Sequence, residues 1–195
     1  MSPTQNLVLA AVLLLAAPAL AAEIAPPAVR CDFGAWSKDP DPAGLNVRAA
    51  PRRDAPVIGR LPAPRTVDGE RLAVEFRVVG GDGPWLMIEN ADHPDYGNPA
   101  KRVFSGRGWV AAGLVDVVPM DEKVRIGPTS DAGIVDEPRA VADGTYDFLV
   151  VRRILSCRGR WIEMEGEFRV TKDRPGRAAR GWVTDLCGNQ VTTCN

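Results

Sequence analysis

A single histidine, His93, stands in a chain of 195 residues. That scarcity excludes histidine-rich metal centres and leaves any histidine-dependent catalysis to one side chain. An excess of charge of either sign is also missing. The 24 Lys and Arg against 25 Asp and Glu leave a net charge of −1, which offers no field for a nucleic-acid backbone and no polybasic membrane surface. Aromatic residues make up 6% of the chain, with only two tyrosines. None of the four cysteines falls in a C-x-x-C pair, so neither a zinc site nor a redox dithiol is indicated, and no cofactor or metal is expected. There is one long apolar run, at the N-terminus, and no membrane span is expected beyond it.

Turn-forming residues, by contrast, are plentiful. Gly (19) and Pro (17) together make 36 of 195 residues, about 18% against an ordinary ~12%. This favours short strands joined by many turns over long helices. The apolar run from Leu7 to Ala17 is eleven residues long, short of the ~20 needed to cross a bilayer. Pro18-Ala19-Leu20-Ala21-Ala22 follows it and supplies the small residues of a cleavage site. Residues 1–22 therefore read as a signal peptide, although Met1 to Asn6 carries no Lys or Arg. Export makes the chain periplasmic or secreted and turns Cys31, Cys157, Cys187 and Cys194 into two expected disulfides. Three pairings are open. Three of the four cysteines lie beyond residue 156, so at least one bridge is expected to staple the C-terminal half, and reduction is expected to weaken that half most.

The chain also repeats itself. Val47-Arg48-x-x-Pro51 followed by Asp54-Ala55-Pro56-Val57-Ile58 lines up with Val124-Arg125-x-x-Pro128 followed by Asp131-Ala132-Gly133-Ile134-Val135 at a constant offset of 77. Phe76-Arg77-Val78-Val79 lines up with Phe148-Leu149-Val150-Val151 at 72, Trp85 with Trp161 at 76, and Gly108-Trp109-Val110 with Gly181-Trp182-Val183 at 73. Two related units follow, 31–118 and 119–195. Leu45, Val47 and Ala49 alternate with polar or small residues, as do Leu72, Val74, Phe76 and Val78; period-two alternation marks half-buried strands. Ile162, Met164, Phe168 and Val170 are expected on one core face, with Trp161, Glu163, Glu165 and Glu167 on the other. About five short strands per unit predict an all-β chain of small barrels or orthogonal sandwiches.

Gly44-Leu45-Asn46-Val47-Arg48-Ala49-Ala50-Pro51, then Ala55-Pro56-Val57-Ile58-Gly59, Trp85 and Gly108-Trp109-Val110 resemble the bacterial SH3 (SH3b) domain family. In that family an Asn-Val-Arg-x-x-Pro segment opens the motif and Gly-Trp-Val closes it. The second half keeps Val124-Arg125-x-x-Pro128 and Gly181-Trp182-Val183 but has Lys123 at the place of Asn46. The resemblance implies two tandem small SH3-like β-barrels after the signal peptide. It also implies an envelope protein that binds peptidoglycan or other proteins.

Residues able to do chemistry are few. His93 sits in Asn90-Ala91-Asp92-His93-Pro94-Asp95, read as a solvated, turn-rich loop with no nucleophile to serve. Glu163 and Glu165, two apart on a strand, would be ~6.6 Å apart, the spacing of an inverting glycosidase pair and equally of any two outward glutamates. Gly80-Gly81-Asp82-Gly83 precedes Pro84 and a strand rather than a helix, which makes it a hairpin turn and not a phosphate cradle. Nine basic and four acidic residues between Arg152 and Arg180 could form a basic patch or be scattered by alternation. Trp109 and Trp182 are expected in the core. Trp85 and Trp161, half-exposed on a sheet face, are candidate ligand platforms, and a loop with Tyr96, Lys101, Arg102 and Phe104 is a second candidate. The expected function is therefore that of a non-enzymatic cell-envelope binding module for peptidoglycan or an envelope protein. An exported partner or inhibitor protein that docks on an enzyme is the alternative, and a small glycoside or cell-wall hydrolase is a remote one.

Overall fold

The computed structural model describes residues 22–67, 69–95, 98–141, 144–171, 175–191 and 194. The signal-peptide reading falls almost wholly outside these residues. As expected, the chain is all-β: the described residues contain no α-helix, only one 3₁₀ turn at Ala112–Leu114. The first strands are β1 (Val29–Ser37), β2 (Leu45–Arg48), β3 (Val57–Leu61) and the short pair β4 (Arg65–Val67) and β5 (Glu70–Leu72). They are followed by β6 (Glu75–Asp82), β7 (Trp85–His93), β8 (Lys101–Ala111) and β9 (Val115–Asp116). The second half holds β10 (Val118–Arg125), β11 (Ile134–Asp136), β12 (Phe148–Arg158), β13 (Trp161–Arg169) and β14 (Arg177–Cys187).

One large sheet runs β3-β2-β8-β7-β6-β1-β9, a second β11-β10-β14-β13-β12, and β4 and β5 form a two-stranded sheet of their own. Setting β1 and β9 aside, the two orders are the same, and the register repeats residue by residue. Arg48 opposes Trp109 as Arg125 opposes Trp182. Val47 opposes Gly59 as Val124 opposes Asp136. In the hairpins, Val78–Ile88, Gly80–Met87, Gly81–Leu86 and Asp82–Trp85 match Ile154–Met164, Ser156–Glu163, Cys157–Ile162 and Arg158–Trp161 at a uniform offset of 76, including the same bulge. This overturns the 72-residue alignment of Phe76 with Phe148: the two-residue turns Gly83-Pro84 and Gly159-Arg160 are the true equivalents and fix the offset at 76. Each turn opens on a glycine with positive φ, 51° and 57°, which other residues adopt at a cost.

The alternation read from the sequence lies on the core face. Leu45, Val47, Leu72, Val74, Phe76, Val78, Ile162, Met164 and Phe168 are all buried. Val170 is not: it lies past the end of β13 and is exposed, because the sheet no longer covers it. The core itself is shared. A single apolar cluster contains Phe33, Val47, Val78 and Val110 of the first sheet and Val124, Ile154, Met164 and Phe168 of the second.

The disulfides pair Cys31 with Cys157 and Cys187 with Cys194. The second staples the C-terminal end, as expected. The first joins the two halves, so the expectation that reduction acts mainly on the C-terminal half is replaced by one in which the junction loosens. Gly81 makes room for that bridge: a Cβ there would sit 2.7 Å from the Cys157 sulfur. The chain after β14 crosses β1 where Gly34 meets Gly188. Gln190 then completes the junction. Its side-chain carbonyl accepts from the Ala73 N–H and its amide donates to the Ala73 carbonyl, both at 3.0 Å.

Candidate binding site

Trp85 opens β7 immediately after the Gly83-Pro84 turn, which places its half-buried ring at the sheet's end. There it walls a groove of about 590 Å³ together with Leu45, Arg48, Arg53, Leu114 and Arg153. The groove straddles the junction, because Arg153 belongs to β12. Its three guanidiniums differ in availability. Arg48 donates to the Ala55 carbonyl at 2.9 Å and holds the β2–β3 turn closed. Arg153 pairs with Glu165 at 2.8 Å. Arg53 is exposed in that turn and has no acidic partner among the described residues. An aromatic wall and an unpaired cation in one groove, with Asp39 at its edge, suit a ligand that carries apolar or sugar surface beside a carboxylate.

The other candidate residues are dispersed. Trp161 takes the place equivalent to Trp85 at the start of β13, half-buried beside Gly159. That glycine exchanges backbone hydrogen bonds with Arg30 and Asp32 of the N-terminal half. Lys101, Arg102 and Phe104 are on β8 and not in a loop. Arg102 is bound to Asp92, its register partner, and Phe104 lies over Gly59, where an added Cβ would come within 2.6 Å of its ring. Both serve the sheet. Trp85 opposes Ala111 while Arg102 opposes Asp92, seven residues along β7, so the two candidates stand roughly 20 Å apart. Tyr96 lies outside the described residues.

His93 corrects the loop expectation. It ends β7, is 5% exposed, and its Nδ1 accepts from Arg65 Nε at 3.1 Å. Burial, with Arg65 adding to it, holds the imidazole below its usual pKa, and acceptance at Nδ1 leaves the neutral ring's proton on Nε2. That nitrogen is buried without a partner among the described residues.

Glu163 accepts from Ser156 at 3.0 Å and faces Arg180 at 3.6 Å, and Glu165 is paired with Arg153 and Arg180. Both carboxylates are committed to arginines of their own sheet face. Part of the basic stretch is likewise paired with acids: Arg152 and Arg169 with Glu167, and Arg177 with Asp136 and Asp147. Among the described residues no three or more His, Cys, Asp or Glu side chains are placed to hold a metal. Known families, curated proteins and solved structures contain no match for this chain.

At the junction, burial pushes the Asp116 carboxyl up, and Lys38 at 3.6 Å draws it back. Glu75, also pushed up by burial, accepts from the Gln190 N–H at 2.6 Å. Sequence reasoning missed Arg53 and Arg153 as partners of Trp85. Arg53 lies in the turn between β2 and β3, where no alternation marks it, and Arg153 reaches the groove through the packing of the two halves, which no local pattern encodes.

Proposed function

We propose that this chain is an exported, non-enzymatic binding protein of the cell envelope that holds peptidoglycan in the Trp85 groove. The observation that carries the reading is the half-buried Trp85 ring beside the unpaired Arg53, a combination able to take a sugar or aliphatic face and a stem-peptide carboxylate together. The SH3b-like segments at 44–51 and 108–110 support it, as does the leader-like N-terminus. The two disulfides are of the kind found in oxidising compartments. Retention on isolated sacculi tests the reading. The wild type is expected to be retained, and Trp85→Ala and Arg53→Ala each to lower retention at least about tenfold, as loss of a central aromatic or cationic contact does. A wild type that washes through, or variants retained as well as it is, would overturn the reading.

A further inference from the structure

The first sheet carries a segment of its own chain on its outer face. Residues 24–27 run over Trp109: the Ala25 N–H donates to the Ala49 carbonyl at 2.9 Å, and the Trp109 indole N–H donates to the Ala25 carbonyl at 2.9 Å. Under this arm Trp109 is 0% exposed and Met87 is buried. The shelf that receives it is built by neighbouring residues. Arg48 opposes Trp109 and clamps the Ala55 carbonyl. The Ala49 N–H donates to the Pro56 carbonyl at 3.0 Å. Gly108 lets β2 close in, since a Cβ there would meet Val47 at 2.3 Å.

Every part of that shelf recurs in the second sheet. Arg125 opposes Trp182 and donates to the Ala132 carbonyl at 3.4 Å. The Ile126 N–H donates to the Gly133 carbonyl at 2.9 Å. A Cβ on Gly181 would meet Val124 at 2.7 Å. What differs is the cover. Trp182 is only partly buried, and among the described residues its indole N–H has no bond corresponding to that of Trp109. Ile126, the counterpart of the 3%-exposed Ala49, is 70% exposed, and Ile134 and Val135 on the adjoining strand β11 are 47% and 52% exposed.

We propose that the Trp182–Ile126 shelf is a docking site for a short extended aliphatic segment of a partner polypeptide, held as the first sheet holds Ile24-Ala25-Pro26. Two departures define the occupant further. Ser156 stands where Gly80 admits the ring of Pro27, so the docked stretch ends before that point. Glu163 stands where Met87 does, so an acidic residue is rejected there. The indole N–H and the Ile126 carbonyl supply one donor and one acceptor, and Ile126 and Val135 supply the apolar contact. A proline in the segment lowers the ordering cost. The site is separate from the Trp85 groove and does not depend on it.

The probe is acetyl-Ile-Ala-Pro-amide, titrated into the intact oxidised protein while the tryptophan indole N–H resonances are followed by NMR. The resonance that is absent in Trp182→Phe is expected to shift with saturating, millimolar-range binding. N-methylation of the peptide's alanine nitrogen and the surface variant Ile126→Asp are each expected to weaken binding at least tenfold. Trp85→Ala is expected to leave it unchanged, which separates this result from sacculus retention. No shift at saturating peptide, or a shift indifferent to Ile126→Asp, overturns the proposal. Self-association abolished by Ile126→Asp would also overturn it, by assigning the shelf to a second copy.

Discussion

At the scale of the residue, His93 shows how a polar side chain can be turned inward by one neighbour. Arg65 occupies its Nδ1 and surrounding structure buries its other nitrogen, so the folded protein resists protonating it while the unfolded chain, with a pKa near ~6.5, does not. The unfolded state therefore binds more protons below about pH 6.5, and stability falls as pH drops through that window. Denaturant titrations between pH 7.5 and 5.5 should show this fall, and His93→Gln should flatten it. A wild-type midpoint constant over that range would contradict the burial. Nothing local signals this burial, because Asn90 to Asp95 has the composition of a loop. The strand continues through it because Asn90 adopts a positive φ of 50° at a bulge, a conformation asparagine tolerates. The tryptophans were only partly legible for a related reason. Trp109 and Trp182 occupy one register position, and only the arm 24–27, whose placement no periodicity records, makes the first of them core.

At the scale of the element, the repeated unit is a strand pair closed onto a glycine. Gly108 and Gly181 sit where β2 and β10 approach β8 and β14, and the Cβ contacts of 2.3 and 2.7 Å fall on Val47 and Val124. Gly108→Ala and Gly181→Ala should each cost about 1–3 kcal/mol by overpacking, seen as a thermal midpoint lower by several degrees. An unchanged midpoint in either variant would show that the two approaches are looser than the register implies. These elements were the most legible part of the fold. Val-Arg-x-x-Pro and Gly-Trp-Val recur at near-constant spacing because the arginine, the turn carbonyl and the tryptophan form one local arrangement that tolerates little change. The stretch from Phe76 was misaligned for the opposite reason. Aliphatic residues interchange freely on a core face, so likeness between Phe76 and Phe148 carried less information than the position of the turn glycines.

At the scale of the whole molecule, equivalent strands β6 and β12 pack against each other, and the two sheets share one core fastened at Cys31–Cys157 and by Gln190 on Ala73. Pattern reading supplied two similar halves. It could not supply their joint, whose contacts connect residues more than 100 positions apart. The 126-residue separation of that bridge makes it the larger of the two contributions in a chain-entropy account, about 4–5 kcal/mol. Cys31→Ser with Cys157→Ser should lower the unfolding free energy by that order and by more than Cys187→Ser with Cys194→Ser does. Equal losses in chemical denaturation would argue against it. The order of these four thiols along the chain has a further consequence for biosynthesis. A polypeptide threaded N-terminus first into an oxidising compartment presents Cys31 with no rival thiol until Cys157 emerges, and Cys187 then meets Cys194 only after the earlier pair is closed. Joining thiols simply in order of arrival yields both native bonds, so maturation should proceed without an isomerase to reshuffle them.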